Sequence, residues 1–262
     1  MSRESLNFFK DSVIRTVEKS AINLPKFKEE FDKKGFKGVG HYLLEAVNVR
    51  IDYTKEADPS FSGLRQKLQK EPGLIIGNHP GYIEIPAILN TLDREDVKFM
   101  VTQHLYEHFV RQFGEQYFVP NAKNISELKP VLQTVKSHIK TGGAVMIFPS
   151  GGGEQNIAQP EFKSGFRFFL QQLPQEAMVY SFYTDPEQSR QLVKECLPDF
   201  AGLSSDVLTK GLFNINRFSE TKTVKIDESY RPVGDWQEVL RNNKTDGKNN
   251  VLSEYFLSQF VI

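Results

Sequence analysis

The sequence predicts an α/β protein in which a mostly parallel central sheet is flanked by helices. Short apolar runs typical of buried strands alternate with longer segments of helical periodicity along most of the chain, and this alternation favours parallel strands covered on both faces. Several of the apolar runs end in glycine-containing turns. No internal repeat or linker divides the 262 residues, so we expect a single domain over 1–262 with an N-terminal helical segment at 1–44.

Each element of this pattern has its own signal. Alternating apolar residues from position 47 to 53 indicate a half-buried strand, and apolar runs bounded by turns indicate strands at 74–77, 97–102, 116–119, 144–148 and 177–183. Helical periodicity between these runs predicts helices at 59–70, 82–92, 104–113, 126–140 and 164–173. The later chain is less regular, with a strand expected at 221–226 and a closing helix at 249–260.

The first residues of the chain have an amphipathic pattern. Apolar residues recur at helical spacing opposite charged ones, which predicts a helix over 4–20. Two interpretations stay open: the apolar stripe packs on the body of the protein, or it lies on a lipid surface.

Composition excludes several classes of function. With 33 basic and 33 acidic side chains the chain is formally neutral, which argues against nucleic acid as a partner. The single cysteine, Cys196, excludes an intrachain disulfide and fits a reducing compartment. No apolar run is long enough to span a membrane, and no signal-peptide core is visible at the N-terminus. We therefore expect a cytoplasmic protein that contacts the inner face of the membrane at most peripherally.

A metal site is the first functional hypothesis to weigh. His104 and His108 are four positions apart on a predicted helix, a spacing that can bind zinc. Glu107, however, is not placed as in the metalloprotease helix motif, and no third ligand is visible. We expect neither a metal ion nor another cofactor.

The most informative stretch is the turn after the predicted strand 74–77. It places His79 five positions before Glu84, so that the histidine lies in a strand-to-helix turn and the carboxylate in the first turn of the helix. Ligands of open α/β sheets bind at such strand ends. A histidine oriented by a carboxylate can act as a general base, and the alternative is a capped turn with an ordinary polar histidine.

A second predicted strand also ends in a turn of this kind, because the strand at 144–148 is followed by a glycine-rich turn at 151–153. Together the two segments resemble the glycerophospholipid acyltransferase family, typified by lysophosphatidic acid acyltransferases. Asn78, His79 and Glu84 match the family's Asn-His-x-x-x-x-Asp hallmark, with Glu in place of Asp, and Phe148, Pro149 and Gly151 match its Phe-Pro-Glu-Gly-Thr-Arg hallmark. A Phe-Lys-x-Gly segment at 162–165 also agrees.

The resemblance implies an acyltransferase that moves a fatty acyl group from acyl-CoA or acyl carrier protein, its thioester donor, to a hydroxyl of a lysophospholipid or related lipid acceptor. His79 would be the general base and Glu84 its orienting acid. The remaining residues of the two hallmarks and the following lysine would bind substrate, namely Asn78, Phe148, Pro149, Ser150, Gly151, Gly152 and Lys163.

The sequence also departs from the family pattern. Ser150 replaces the second hallmark's glutamate, Gly152 and Gly153 replace its Thr-Arg, and the longer Glu84 replaces an aspartate. These departures keep two alternatives open. One is a weakened or inactive lipid-binding relative of the family. The other is a serine hydrolase with Ser150 as nucleophile, although the Gly-x-Ser-x-Gly form is absent.

Overall fold

The computed structural model describes residues 23–54, 59–80, 83–122, 124–151, 160–196, 217–243 and 250–260. Seven strands form one sheet in the order β1-β7-β6-β2-β5-β3-β4. The strands are β1 Val49–Tyr53, β2 Gly73–Gly77, β3 Val97–Val101, β4 Phe118–Pro120, β5 Ala144–Ile147, β6 Met178–Thr184 and β7 Lys222–Pro232. Neighbours from β6 to β4 are parallel, β7 runs antiparallel to β6, and β1 is parallel to β7. The predicted α/β class with a mostly parallel sheet is therefore confirmed.

Helices cover both faces of this sheet. In the described residues they are α1 Leu24–Val47, α2 Pro59–Lys70, α3 Glu84–Thr91, α4 Gln103–Phe113, α5 Ile125–Lys140, α6 Ser164–Gln172, α7 Pro186–Cys196, α8 Val233–Asn242 and α9 Asn250–Leu257. One apolar core joins the sheet to α1, α3 and α4, and a second joins the opposite face to α5, α6, α8 and α9.

Strand β2 lies at the centre of the sheet, between β5 and β6. After β2 the chain crosses to the first face through α3, whose Ile88 belongs to the first core. After the neighbouring β5 it crosses to the other face through α6, whose Phe166 belongs to the second core. The carboxyl ends of β2 and β5 therefore form a topological switch point, the place in an open α/β sheet where ligands bind.

Helix α1 supports α3 from outside the sheet. At Gly40 the two backbones meet, because a Cβ atom built on this glycine would lie 2.4 Å from the amide nitrogen of Asn90 and 2.7 Å from the carbonyl oxygen of Pro86. From the side of the sheet, the Tyr53 hydroxyl donates a hydrogen bond of 3.1 Å to the carbonyl oxygen of Ala87. The helix that follows β2 is thus held from two directions.

Several element predictions need correction. Strand β4 begins two residues later than predicted, because a 3-10 turn occupies Glu115–Tyr117. Strand β7 extends to Pro232, beyond the predicted end at 226, since its second half pairs with β6. The periodicity gave no prediction for α7 or α8.

The N-terminal helical segment is described only in part. The predicted helix at 4–20 lies outside the described residues, whereas α1 is present and bends at Gly35, whose φ is 60°. Within the described ranges, every helix is too short or too polar to cross a bilayer.

Candidate active site

His79 and Glu84 meet beyond the carboxyl end of β2. The Nδ1 atom of His79 lies within hydrogen-bond distance of Glu84 Oε1. The side chain of Glu84 is 1% exposed and that of His79 is 12% exposed. Because Glu84 is the first residue of α3, the five-residue spacing spans the turn and brings the carboxylate back to the imidazole. The structure thus places these two residues as the sequence predicted, while their catalytic roles stay predictions.

The contact with Glu84 determines which nitrogen of the His79 imidazole can accept a proton. A carboxylate facing Nδ1 favours the tautomer with the hydrogen on Nδ1, which leaves the Nε2 lone pair as an acceptor. A proton taken by Nε2 would then form an imidazolium next to the Glu84 carboxylate, which stabilises it. The pair therefore has the geometry of a general base with an orienting acid.

Phe148 holds the ring of His79 in place. The two ring centroids are 4.6 Å apart and the ring planes differ by 25°, a stacked arrangement. Phe148 directly follows β5, the strand next to β2, so the two predicted hallmark segments meet at the switch point. Stacking against a fixed aromatic ring limits rotation of the imidazole and supports a single orientation for its Nε2 atom.

Asn78 connects the end of β2 to the end of β6. Its side-chain nitrogen donates to the carbonyl oxygen of Thr184 at 2.7 Å, and its side-chain oxygen accepts from the Thr184 amide at 2.9 Å. The residue is 1% exposed, so both bonds are made away from water. The structure therefore shows a positioning contact for this amide, and a contact of Asn78 with substrate stays a prediction.

The turn after β5 brings the other predicted substrate-binding residues together. Ser150 is buried, and Gly151 adopts a left-handed φ of 75° while its amide donates to the Phe148 carbonyl oxygen at 2.9 Å. The amide of Lys163 donates to the carbonyl oxygen of Pro149 at 2.8 Å, which joins the third family-like segment to the second. The Gly151 amide is thus used within the turn. Gly152 lies outside the described residues.

Ser189 is a residue of this site that the sequence did not indicate. It lies one turn into α7, is 0% exposed, and its Oγ atom donates to Glu84 Oε2 at 3.3 Å. The Asp185-Pro186 pair is a helix-start signal that could have predicted α7. No spacing rule, however, relates Ser189 to a glutamate more than a hundred positions earlier.

The described residues hold no cluster of His, Cys, Asp and Glu that could bind a metal ion. His104 and His108 both lie on α4, but their side chains are outside what the structure describes. A surface depression of about 440 Å³ lies beside Pro72, Lys136 and Gln172, at the amino ends of the strands and away from His79. The hydrogen-bonded His79–Glu84 pair lies instead at the carboxyl end of β2.

Comparison with known proteins adds a match to a family model. Residues 58–184 match the family model named Acyltransferase, a range that contains His79, Glu84 and the Phe148 turn. No curated protein matches the chain significantly. Among solved structures, the 1-acyl-sn-glycerophosphate (LPA) acyltransferase PlsC from Thermotoga maritima aligns with 11% identity and a TM-score of 0.49, covering 96% of this chain and 85% of that chain.

The segment 58–184 therefore carries a match to an acyltransferase domain. Over this segment, the acyltransferase resemblance that the hallmark segments indicated is confirmed. The domain contains the whole path from α2 to the end of β6, which includes both strands that form the switch point.

Proposed function

We propose that this protein is an O-acyltransferase that moves a fatty acyl group from an acyl-CoA or acyl carrier protein thioester to a hydroxyl of a lysophospholipid or related lipid acceptor. The observation that carries the proposal is the contact of His79 with the buried Glu84 at the switch point of a family-matched domain. A base of this kind is what direct transfer to a hydroxyl needs.

The reaction begins with the acceptor hydroxyl hydrogen-bonded to Nε2 of His79. As the hydroxyl oxygen attacks the thioester carbonyl carbon, its proton moves to Nε2, and Glu84 stabilises the resulting imidazolium. The tetrahedral intermediate then collapses, the carbon–sulfur bond breaks, and the imidazolium returns the proton to the departing thiolate. The products are an ester and a free thiol, and no acyl-enzyme forms.

The turn after β5 is proposed to hold the substrates beside this pair. Charge develops on the thioester oxygen in the intermediate, and a single well-placed donor there is worth roughly 3 to 4 kcal/mol. We assign that role to Ser150, which lies in this turn two residues after Phe148. Lys163 is exposed next to Gly151 and supplies a cation for a phosphate on the acceptor or on coenzyme A.

Acceptor-dependent thiol release tests this function. Purified protein is mixed with acyl-CoA or acyl carrier protein thioesters of several chain lengths and a panel of lysophospholipid and glycolipid acceptors, and products are identified by mass spectrometry. We expect thiol release that requires an acceptor and yields the acylated lipid in equal amount. Release at the same rate without acceptor would instead show hydrolysis, and no release with any pair would contradict catalysis.

A further inference from the structure

Glu84 is a buried carboxylate shared between two elements. One oxygen faces His79, and the other accepts a hydrogen bond from Ser189 of α7. Both Glu84 and Ser189 are nearly or fully excluded from solvent, at 1% and 0% exposure. Hydrogen bonds to charged groups in such surroundings are stronger than those between neutral groups.

The start of α7, and with it Ser189, is firmly placed. Asp185 accepts hydrogen bonds on Oδ1 from the amides of Glu187 and Gln188, at 2.8 and 3.1 Å, and Pro186 occupies the first helical position. The Ser189 amide donates to the carbonyl oxygen of Asp185 at 3.0 Å. This is the arrangement of a well-capped helix N-terminus, so the side chain one turn later has a defined position.

Hydrogen bonds also connect the start of α7 to the end of β2, next to His79. Thr184 precedes Asp185 directly, and both its amide and its carbonyl are bonded to the side chain of Asn78, the neighbour of His79. The contacts close a ring that runs from His79 to Glu84, to Ser189, along the chain to Thr184, and through Asn78 back to His79. We call these contacts the positioning ring.

The positioning ring limits the flexibility of the Glu84 side chain, which is longer than an aspartate. Glutamate has one more rotatable bond than the aspartate of the family hallmark, and fixing it costs side-chain entropy. A misplacement of about 1 Å can cost on the order of a hundredfold in rate. A donor on Oε2 fixes the far end of the carboxylate, so that Oε1 stays on Nδ1 of His79.

We propose that Ser189 is a positioning residue of the acyl-transfer site, which holds Glu84 in the rotamer that orients His79. This inference rests on the proposed function and adds to it a residue outside the family-matched segment. Ser189 does not touch substrate in this account and acts only through Glu84.

Kinetics of three serine variants test the proposal. Ser189→Ala removes the donor and is expected to lower kcat about tenfold with little change in KM, a fraction of the loss that a 1 Å displacement causes. Ser181→Ala is the matched control, because Ser181 on β6 is also 0% exposed and its Oγ has no hydrogen-bond partner among the described residues. It should keep the wild-type kcat. Ser189→Cys retains the volume but donates weakly, so it should behave like Ser189→Ala.

A spectroscopic readout separates this proposal from the proposed function. In wild type, the Nδ1 proton of His79 should give a downfield NMR resonance from its hydrogen bond to Glu84, without any substrate present. In Ser189→Ala this resonance should broaden or shift, whereas in Ser181→Ala it should not. A wild type that transfers no acyl group would contradict the function but leave this readout intact. An unchanged resonance with wild-type kcat in Ser189→Ala would overturn the role of Ser189.

Discussion

Phe148, Glu84 and Asn78 each restrain His79 in a different way. Stacking on Phe148 sets the plane of the ring, the Glu84 carboxylate sets which nitrogen carries the hydrogen, and the backbone beside it is fixed through Asn78. An imidazole restrained in this way presents Nε2 in one direction. Such preorganisation matters because the reacting atoms must be aligned before the proton moves.

Replacing Glu84 by glutamine tests the electrostatic part of this arrangement. The amide of Glu84→Gln is nearly the same size but carries no charge, and it can turn its nitrogen toward Nδ1 and so favour the wrong tautomer of His79. We expect kcat to fall about 10⁴-fold, the loss seen when the carboxylate of a serine-protease triad becomes an amide. Steady-state kinetics with the best acceptor measure this value.

Glu45→Gln is the matched control for that substitution. Glu45 forms a similar pair with His41, Oε1 to Nε2 at 3.4 Å, but both side chains are exposed, at 64% and 57%. The control should retain the wild-type kcat. Equal activity of the two variants would contradict the role of the Glu84 charge.

The proximity of His79 and Glu84 could be predicted from the sequence, whereas that of Ser189 could not. The first pair is separated by a single strand-to-helix turn, so local geometry alone limits the distance between the side chains. Ser189 reaches Glu84 only because β6 lies beside β2 in the sheet. Sequence periodicity predicts that strands exist but not which strands become neighbours.

At the scale of elements, α3 is the part of the site on which most other contacts depend. Its first residue is Glu84, its middle accepts the Tyr53 hydrogen bond, and its outer surface meets α1 at Gly40. The close approach of two helix backbones requires a residue without a side chain at the crossing. A displacement of α1 would therefore move the carboxylate that faces His79.

A methyl group at Gly40 should push the two helices apart. We expect Gly40→Ala to destabilise the protein by about 1–3 kcal/mol, since the new Cβ would overlap backbone atoms that cannot rotate away. Urea denaturation followed by circular dichroism gives the free energy of unfolding. Acyl transfer by the variant should also decline, because α3 carries Glu84.

Gly63→Ala provides the contrast for this test. Gly63 lies within α2, and a Cβ built there meets no atom within 4 Å. Alanine in an open helical position stabilises by roughly 0.5–1 kcal/mol relative to glycine. The two substitutions should thus change stability in opposite directions, and a similar loss in both would contradict the close helix crossing.

Apart from the start of β4, the helices and strands up to β6 follow the sequence pattern closely, as does the closing helix, whereas β7, α7 and α8 do not. Helix α2 begins and ends where the periodicity predicted, and its Leu68 is buried in the first core. Strand β7 is longer than its alternation indicated, since pairing with β6 continues it through Glu228 and Tyr230. Tertiary pairing, and not local propensity, decides the length of such a strand.

At the scale of the whole molecule, the amino ends and the carboxyl ends of the strands carry different kinds of contact. At the amino ends of the strands, the guanidinium of Arg94 donates to the carbonyl oxygens of Leu68, Glu71 and Gly142 and pairs with Asp96. Hydrogen bonding to Arg94 holds the pKa of the Asp96 carboxyl below its usual value. Polar contacts thus join the segments at the amino ends of the strands, whereas His79 and the turn after β5 lie at the carboxyl ends. The His79–Glu84 pair therefore lies at the opposite ends of the strands from the Arg94 contacts.

The measurement that tests the central claim most directly is the acyl-transfer rate of His79→Ala beside that of His41→Ala. His41 is the exposed histidine with its own glutamate partner, so the same substitution there removes a comparable side chain. A positioned general base contributes about 10² to 10⁴ in rate, and we expect His79→Ala to lose at least the lower of these factors while remaining folded. His41→Ala should match wild type. Full transfer by His79→Ala would contradict the assignment of His79 as the base.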